Sequence, residues 1–397
     1  MSKKKWMKTR HSFVRNLAFL ILYPYSRLKY GIKIDKFKEQ GKRPYLILFN
    51  HQTAFDQFFV GMAFKGPVYY VASEDLFSKG FLSKIIKFLV APIPIKKQTT
   101  DASAVMNCIR LAREGGTIAI APEGNRTYDG KPVHINPAIA PLAKKLKLPI
   151  ALYRIEGGYG VHPRWSDVIR KGEMRGYVYK VIEPEEYKNM SNDELFTEIK
   201  EGLNVNEATL GGTFYHKKSA EFLERVFYVC HSCGLSEFES DGDLIKCKKC
   251  GQIIKHLPTK ELIGVNKEFP FKFVGDWYDY QCDYINNLDL NSLTASPIYS
   301  DKVSLLKINV YKNREVISKT VSASLYGDKI TVGDFIFDFN KISAVTILGR
   351  NKINIYTDDG LYQIKGEKRF NGLKYMNIFY RYKNLNSEEQ DGKFLGL

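Results

Sequence analysis

The sequence lacks an apolar run long enough to cross a lipid bilayer. Its N-terminal candidate, residues 13–25 (FVRNLAFLILYPY), is interrupted by Arg15 and stopped by Pro24, whereas a spanning helix needs about 20 apolar residues. No small-residue cleavage site follows this stretch, which argues against a signal peptide. With 44% hydrophobic and 26% charged residues, the composition excludes disorder, collagen and a polytopic membrane protein.

Acidic residues are scarce at the N-terminus. Residues 1–43 hold 13 Lys or Arg and only two acidic residues, Asp35 and Glu39, so they carry most of the formal net charge of +17. Such a basic segment usually meets an anionic polymer or an anionic membrane surface, and a merely solubilising tail is the alternative. The length of 397 residues exceeds what one hydrophobic core usually organises, so several domains are expected.

The residues that follow the basic run favour a membrane over nucleic acid. A helix lying in the interface would keep Trp6 and the lysines at the headgroups and turn its apolar side inward. The residues expected to enter the bilayer are Phe13, Leu17, Leu20 and Ile21. We expect residues 1–34 to associate with the cytoplasmic face of the cell membrane, in a monotopic or peripheral manner. A nucleic-acid-binding protein is the competing interpretation, but the charge precedes an apolar segment, so no nucleic-acid partner is expected.

The cysteines are few and strongly patterned. Four of the six form two C-x2-C pairs separated by thirteen residues, each pair followed by Gly. This spacing predicts a zinc ribbon rather than a disulfide pair, with backbone N–H groups supporting the thiolates. Because protein ligands would fill all four positions, the zinc is expected to be structural, and no catalytic cofactor is expected. The predicted ligands are Cys230, Cys233, Cys247 and Cys250.

The thiols also bear on compartment and packing. Reduced thiolates indicate a cytosolic environment. The two remaining cysteines, Cys108 and Cys282, lie among apolar residues and are predicted to be buried packing residues.

Apolar runs that alternate with amphipathic segments predict an α/β layer over about residues 45–185. Within it, residues 81–90 form a basic amphipathic helix that is either a second interfacial surface or packed on the domain's own core. Residues 217–229 are predicted to be a helix that leads into the first C-x2-C pair. The tail alternates apolar and polar residues with Gly, Asp and Asn at the turns, which predicts antiparallel hairpins closed by a helix at 369–384. This order of elements resembles a pleckstrin-homology (PH) or GRAM-like barrel.

Polar residues follow the first buried strand as NHQTAFD (50–56). Histidine can accept a proton near neutral pH, and a carboxylate on its other nitrogen fixes the tautomer and stabilises the imidazolium. His51 and Asp56 are five residues apart, so they meet only if His51 lies on the turn before a helix and Asp56 on its first turns. Thr53 is then the expected N-cap. Without further support, such a pair would more often be a loop histidine beside a surface acid.

A second buried strand ends in PEGNR (122–126), which places a carboxylate and a guanidinium three residues apart around a glycine turn. Arginine offers a planar fork that binds phosphate through two hydrogen bonds. Glu123 could hold the fork of Arg126 in position or bind a substrate hydroxyl.

NHQTAFD and PEGNR together resemble two motifs of the glycerolipid acyltransferase family, N-H-x4-D and P-E-G-T-R, at the family's usual separation. Residues 91–97 (APIPIKK) stand in place of a further motif, with lysine replacing the usual arginine, and residues 148–152 (LPIAL) match another. Two departures are Asn125, where Thr is commonest, and residues 134–138, which replace the usual Lys-x-Gly. A helix running into a zinc ribbon resembles a subgroup of bacterial members.

The resemblance implies an acyltransferase of the 1-acyl-sn-glycerol-3-phosphate type. Its donor would be an acyl thioester of acyl carrier protein or coenzyme A, its acceptor lysophosphatidic acid, and its product phosphatidic acid. His51, oriented by Asp56, would be the general base. The residues expected to bind substrate are Glu123, Gly124, Asn125, Arg126 and Lys96. A different lysophospholipid acceptor and a non-catalytic lipid-binding protein are the alternatives.

The sequence also bears on the type of transfer. It contains no Gly-x-Ser-x-Gly elbow and no cysteine paired with a base, which favours direct transfer over an acyl-enzyme.

Four segments are therefore expected along the chain. Residues 1–34 form the membrane-associating segment, and residues 35–212 the α/β acyltransferase domain. Residues 213–260 form a helix and a zinc ribbon, and residues 261–390 a mostly antiparallel PH/GRAM-like β domain closed by a C-terminal helix.

Overall fold

A seven-stranded sheet organises the first half of the chain. The computed structural model describes residues 5–77, 80–95, 102–309 and 314–386. The chain divides into two compact units. The first comprises Met1–Pro163 and Ile169–Tyr215, and the second comprises Arg164–Val168 and His216–Leu397.

The first unit alternates helices and strands, as the pattern of apolar runs predicts. Its helices are α1 (Thr9–Tyr30), α2 (Asp56–Ala63), α3 (Phe81–Val90), α4 (Ala102–Arg113), α5 (Ile139–Leu146), α6 (Gly158–Val161), α7 (Pro184–Tyr187) and α8 (Asn192–Leu203). Its strands are β1 (Ile32–Ile34), β2 (Leu46–Phe49), β3 (Val68–Ser73), β4 (Ile93–Ile95), β5 (Thr117–Ile120), β6 (Ile150–Glu156) and β7 (Met174–Ile182).

The sheet has the order β1-β7-β6-β2-β5-β3-β4, with β2 in the middle. Strand β2 is parallel to both neighbours, with Leu48 opposite Ile120 of β5 and Phe49 opposite Tyr153 of β6. All four residues of β2 are buried, because side chains alternate between the faces and each face of this sheet carries its own apolar cluster. This α/β layer agrees with the fold class expected from the sequence.

Helix α1 is longer than the sequence suggests, because it continues through Pro24 to Tyr30. Proline removes one helical hydrogen bond, but Phe19, Leu22 and Tyr23 pack against an apolar cluster of the sheet, which offsets that loss. Pro24 thus interrupts the apolar run but does not end the helix. The helix ends instead at Gly31, whose φ is 65°.

The N-terminal end of α1 is fastened to the end of α3. The indole N–H of Trp6 donates to the carbonyl oxygen of Ala91 over 3.0 Å. Arg10 Nε donates to the Phe88 carbonyl over 2.8 Å, and its guanidinium carbon lies 4.0 Å from the centre of the Phe88 ring. Trp6 also packs on an apolar cluster of the sheet. Trp6 is thus an anchor within the fold rather than the free interfacial residue expected from the sequence.

Helix α3 has almost no buried surface, and Ser83 is its one buried residue. Of the two interpretations of this helix, packing on the domain's own core is wrong. The exposed apolar residues of α1 and α3 will be called the apolar surface. They are Phe13, Leu17, Leu20, Ile21, Tyr25 and Leu28 on α1, and Phe81, Leu82, Ile85, Phe88, Leu89 and Val90 on α3.

None of the helices in the described residues has both the length and the apolar character needed to cross a membrane.

The second unit is mostly antiparallel sheet. Its strands are β8 (Val229–Cys230), β9 (Gly234–Leu235), β10 (Phe238–Asp241), β11 (Leu244–Cys247), β12 (Ile253–His256), β13 (Leu262–Gly264), β14 (Tyr299–Ile308), β15 (Glu315–Leu325), β16 (Lys329–Val332), β17 (Phe335–Asp338), β18 (Ile342–Leu348), β19 (Lys352–Thr357) and β20 (Gly360–Gly366). Its helices are α9 (Val274–Asn286) and α10 (Leu373–Leu385).

Two sheets account for most of this unit. Strands β10 to β13 form a four-stranded meander beside the short β8–β9 pair. A seven-stranded antiparallel sheet has the order β17-β16-β15-β14-β20-β19-β18, and α10 follows it. The hydroxyl of Tyr380 on α10 donates to the Val345 carbonyl of β18 over 3.1 Å. The hairpins and the closing helix agree with the sequence, whereas the PH/GRAM resemblance and the four segment boundaries stay predictions.

Residues 217–229 do not form the expected helix, since only Leu223–Arg225 make a short 3-10 turn. Two of their backbone N–H groups bond outside the segment: Ala220 N–H donates to the Gly242 carbonyl and Phe222 N–H to Ser240 Oγ. Phe222 has a φ of 75°, which also ends any regular helix. Ten of the thirteen residues of this segment are buried, so it lacks the exposed face of a surface helix.

Candidate active site

The two motifs meet at one edge of the sheet of the first unit. Strands β2 and β5 are parallel neighbours, so their carboxyl ends lie side by side. NHQTAFD leaves β2 at this edge and PEGNR leaves β5. Ligands of open α/β sheets usually bind outside the carboxyl ends of the strands, which makes this edge the candidate site.

His51 and Asp56 form a hydrogen-bonded pair. Nδ1 of His51 lies 2.7 Å from Oδ2 of Asp56, whose side chain is fully buried, while the imidazole is 25% exposed. His51 lies on the turn before α2 and Asp56 is the first residue of that helix, as the five-residue spacing requires. With the Nδ1 proton directed at the carboxylate, Nε2 is the ring nitrogen that carries the proton-accepting lone pair.

Asp56 also fixes the backbone of the loop that carries His51. Its oxygens accept from Gln52 N–H over 2.6 Å, from Thr53 N–H over 2.9 Å and from the Thr53 hydroxyl over 2.7 Å. Thr53 is therefore not the N-cap that the sequence suggests. Phe55 occupies that position, because the Thr53 side chain is used to bind Asp56 and the N–H of Phe55.

Asn50 is a residue of the site that the sequence analysis missed. Its carboxamide is buried, donating from Nδ2 to the Ile155 carbonyl over 2.8 Å and accepting from the Ile155 N–H over 2.7 Å. The carboxamide of Asn50 thus continues the hydrogen bonding between β2 and β6 one residue beyond the end of β2. The loop is thus held at its start by Asn50 and at its end by Asp56. The only sequence signal for this role is the place of Asn50 at the end of a buried strand.

Glu123 lies against the backbone of His51. Its Oε2 accepts from the His51 N–H over 3.3 Å, and the residue is buried. Burial raises the pKa of the Glu123 carboxyl well above its usual value. The bond from His51 opposes this shift, and the nearby charge of Asp56 adds to it. The structure thus joins Glu123 to the His51–Asp56 pair.

The other predicted substrate-binding residues differ in position. Gly124, Asn125 and Arg126 follow Glu123 in the same loop, where Gly124 has a φ of 68° and the other two are half-buried. A positive φ explains the glycine of this turn. Lys96 lies outside the described residues.

Comparison with known proteins gives the family of this domain. Residues 32–155 match the acyltransferase family model. This segment of the chain is therefore similar to acyltransferases. The resemblance drawn from the motifs is confirmed, and the matched range contains both NHQTAFD and PEGNR.

Two curated relatives carry the same activity in their names. A 1-acyl-sn-glycerol-3-phosphate acyltransferase of Bacillus subtilis is 22% identical over 197 residues, which cover 49% of this chain and 93% of the relative. The chloroplastic 1-acyl-sn-glycerol-3-phosphate acyltransferase BAT2 of Brassica napus is 20% identical over 207 residues, which cover 51% of this chain and 58% of the relative.

A solved structure is also similar to part of the chain. The crystal structure of the 1-acyl-sn-glycerophosphate (LPA) acyltransferase PlsC of Thermotoga maritima superposes with a TM-score of 0.37 and 18% identity. The match covers 49% of this chain and 90% of that one.

A cluster of four thiols lies in the second unit. The sulfurs of Cys230, Cys233, Cys247 and Cys250 all lie within 4.8 Å of one another. Two separations are 3.7 Å (Cys230 to Cys250) and 3.6 Å (Cys233 to Cys247), far longer than the roughly 2.0 Å of a disulfide. Of the remaining cysteines, Cys108 is buried as predicted, whereas Cys282 is only half-buried.

Proposed function

We propose that this chain transfers an acyl group from an acyl thioester to the free hydroxyl of lysophosphatidic acid, giving phosphatidic acid for phospholipid biosynthesis. The observation that carries the proposal is the 2.7 Å hydrogen bond between His51 and the buried Asp56 at the carboxyl edge of an acyltransferase domain. The names of the two curated relatives support this acceptor.

In this mechanism His51 is the general base. Nε2 takes the proton of the acceptor hydroxyl as its oxygen attacks the thioester carbonyl, and the imidazolium is stabilised by Asp56. The same nitrogen then returns a proton to the departing thiolate, so no acyl-enzyme forms. General-base assistance of this kind contributes a factor of about 10²–10⁴ to the rate.

The loop after β5 is proposed to bind the acceptor. Arg126, with Lys96, would neutralise the phosphate, while Glu123, Gly124 and Asn125 line the same turn. Burial raises the pKa of Glu123 above its usual value, which makes its carboxyl easier to protonate than one in water.

An acyl-transfer assay tests the proposal. Purified protein is offered acyl-CoA and acyl carrier protein thioesters with a panel of lysophospholipids, and the products are identified by mass spectrometry. We expect phosphatidic acid to be the main product. His51→Ala should lower kcat by at least about 100-fold, while the matched His216→Ala in the second unit should match wild type.

The same assay separates the alternatives. Preferred acylation of another lysophospholipid would show that the proposed acceptor is wrong and that the proposed acyl transfer is right. Lipid binding without any transfer would indicate a non-catalytic lipid-binding protein. Wild-type turnover in His51→Ala would overturn the mechanism.

We further propose that the apolar surface binds the membrane in which the lipid substrate and product reside. Its residues are strongly exposed, for example Leu20 at 71%, Leu28 at 88% and Phe81 at 76%. Lys84 and Lys87 are exposed among the apolar residues of α3, which suits anionic headgroups. The proposed location is the cytoplasmic face of the membrane, with peripheral or monotopic attachment.

We also propose that the four-cysteine cluster holds one structural zinc ion. Tetrahedral coordination with Zn–S bonds of about 2.3 Å puts neighbouring sulfurs about 3.8 Å apart, close to the 3.7 Å and 3.6 Å between the sulfurs of the two cysteine pairs. Backbone N–H groups of Ser232 and Cys233 donate to the Cys230 sulfur, and those of Lys249 and Cys250 to the Cys247 sulfur. When bound, zinc would join the two C-x2-C turns and stabilise the ribbon.

A further inference from the structure

Gln52, the residue after His51, is held as rigidly as the catalytic pair. Its N–H donates to Asp56 Oδ2 over 2.6 Å, and Asn50 fixes the start of the same loop on β6. Gln52 itself is buried, with 2% of its surface exposed. Its backbone is therefore fixed next to His51.

The carboxamide oxygen of Gln52 lacks a donor. Oε1 is buried and accepts no hydrogen bond from any residue in the described part of the chain. The side chain runs over the turn after β6, where a Cβ on Gly158 would lie only 2.5 Å from Gln52 Cβ. Buried acceptors are nearly always paired in native proteins, so one without a donor calls for an explanation. A donor brought by a ligand is the simplest explanation beside a catalytic histidine.

The proposed reaction limits which substrate group can donate. The single alcohol of lysophosphatidic acid gives its proton to His51, and the glycerol backbone carries no other alcohol. Acyl thioesters of coenzyme A and of acyl carrier protein share a pantetheine arm, whose first amide N–H is two carbons from the sulfur. We propose that Gln52 Oε1 accepts a hydrogen bond from this amide N–H and so holds the thioester carbonyl next to His51. This assignment rests on the proposed function.

Two synthetic donors isolate this hydrogen bond. The acyl thioester of N-acetylcysteamine carries the amide N–H, and the thioester of 2-mercaptoethyl acetate carries an ester oxygen in its place. For the wild-type enzyme we expect kcat/KM to be about five to ten times higher with the amide donor, the worth of one neutral hydrogen bond. Gln52→Met, which keeps the length of the side chain without an acceptor, should react equally with both donors.

Matched variants exclude other causes. Gln57→Met makes the same exchange on a half-buried glutamine of α2 and should keep the wild-type preference for the amide donor. Thermal unfolding should show Gln52→Met at least as stable as wild type, because a buried acceptor without a donor has been replaced by an apolar group. If Gln52→Met fails to fold, Gln52→Leu serves in the same assay.

The outcomes separate the two proposals. Absence of transfer by the wild-type enzyme with the synthetic donors, acyl-CoA and acyl carrier protein alike would overturn the proposed function. Transfer without a preference for the amide donor, transfer from full-length donors alone, or a preference that survives in the Gln52 variants would overturn the role of Gln52 and leave the acyltransferase activity standing.

Discussion

At the scale of single residues, one carboxylate orders most of the catalytic loop. Asp56 binds the imidazole of His51, two backbone N–H groups and one hydroxyl. Hydrogen bonds to a charged acceptor are roughly twice as strong as neutral ones, so the group that orients the base also sets the conformation of the residues between them. A substitution of Asp56 would disturb both properties together and could not separate them.

Asn50 allows a cleaner experiment on the same loop. Asn50→Asp removes the donor to the Ile155 carbonyl and places a carboxylate beside it. One of the two hydrogen bonds between residue 50 and Ile155 is lost, and the carboxylate repels the carbonyl oxygen. We expect a loss of about 1–3 kcal/mol in the free energy of unfolding and a fall in kcat of at least about tenfold, with little change in KM. Urea denaturation and steady-state kinetics measure these.

Asn204→Asp is the control for this prediction, since Asn204 is exposed at the end of α8. Equal stability and equal kcat in the two variants would contradict a positioning role for Asn50.

The sequence predicts the catalytic pair better than it predicts the residues that hold the catalytic loop in place. His51 and Asp56 are five residues apart, so their pairing is a local problem that spacing and helix geometry can solve. Asn50 is bonded to a residue 105 positions away, and such a bond leaves no trace in local spacing. The sequence wrongly predicts Thr53 as the N-cap for a related reason. Its hydroxyl can either cap α2 or bind Asp56, and only the folded loop shows that it binds Asp56.

At the scale of elements, the pattern of apolar residues predicts the strands well. It fails to predict the structure of a segment that is buried on all sides. Central strands such as β2 have a continuous apolar run that matches their burial. Residues 217–229 have apolar residues at helical spacing, but most of them are buried within their own unit and two of their N–H groups donate to the β10–β11 hairpin. The sequence leaves open whether α3 packs on the core of its own domain. The exposure of α3 shows that it does not.

The exposed face of α3 gives a prediction about membrane binding. The double variant Phe81→Ser, Leu82→Ser removes two large exposed side chains that add nothing to the core. Each buried apolar side chain is worth about 1.5–3 kcal/mol, so we expect at least a tenfold loss of binding to vesicles containing phosphatidic acid, with an unchanged melting temperature. Co-sedimentation with vesicles measures the binding.

Ile336→Ser is the control for this surface, because Ile336 is 63% exposed on β17 in the other unit. Vesicle binding that is unaffected by the α3 variant would reject the apolar surface as the membrane contact. Salt-sensitive binding to DNA without binding to vesicles would support the nucleic-acid interpretation instead.

At the scale of the whole molecule, the matched family model lies within one of the two units. The alignments cover about half of the chain, and the family model lies within the first unit. Motifs identify the first unit because catalysis requires particular side chains. The antiparallel sheet of the second unit requires only a pattern of apolar and polar residues, which many folds share, so its function has to come from experiment.

The zinc proposal predicts how the second unit responds to a chelator. Structural zinc contributes about 10–16 kcal/mol of binding free energy in small zinc modules, and its removal should unfold the ribbon. We expect one zinc per chain by elemental analysis. A strong chelator should remove it and add a low-temperature transition to the thermal unfolding curve.

Cysteine variants provide the comparison for this experiment. Cys247→Ser should purify with less than half of the wild-type zinc, and Cys282→Ser, outside the cluster, should keep all of it. Full zinc content in Cys247→Ser, or wild-type protein without zinc, would disprove the site.

Gly31 is the single residue that joins α1 to β1. A side chain there would meet a positive φ of 65°, and its Cβ would lie 2.5 Å from the carbonyl oxygen of Gly172, so the joint tolerates neither another residue type nor much movement. Helix α1 also packs on the sheet through Phe19, Leu22 and Tyr23, so the helix is joined to the sheet both along the chain and by packing. For an enzyme that rests on a bilayer through α1, the fold would set the distance between His51 and the lipid headgroups. A lysolipid would have to rise by that fixed amount to be acylated.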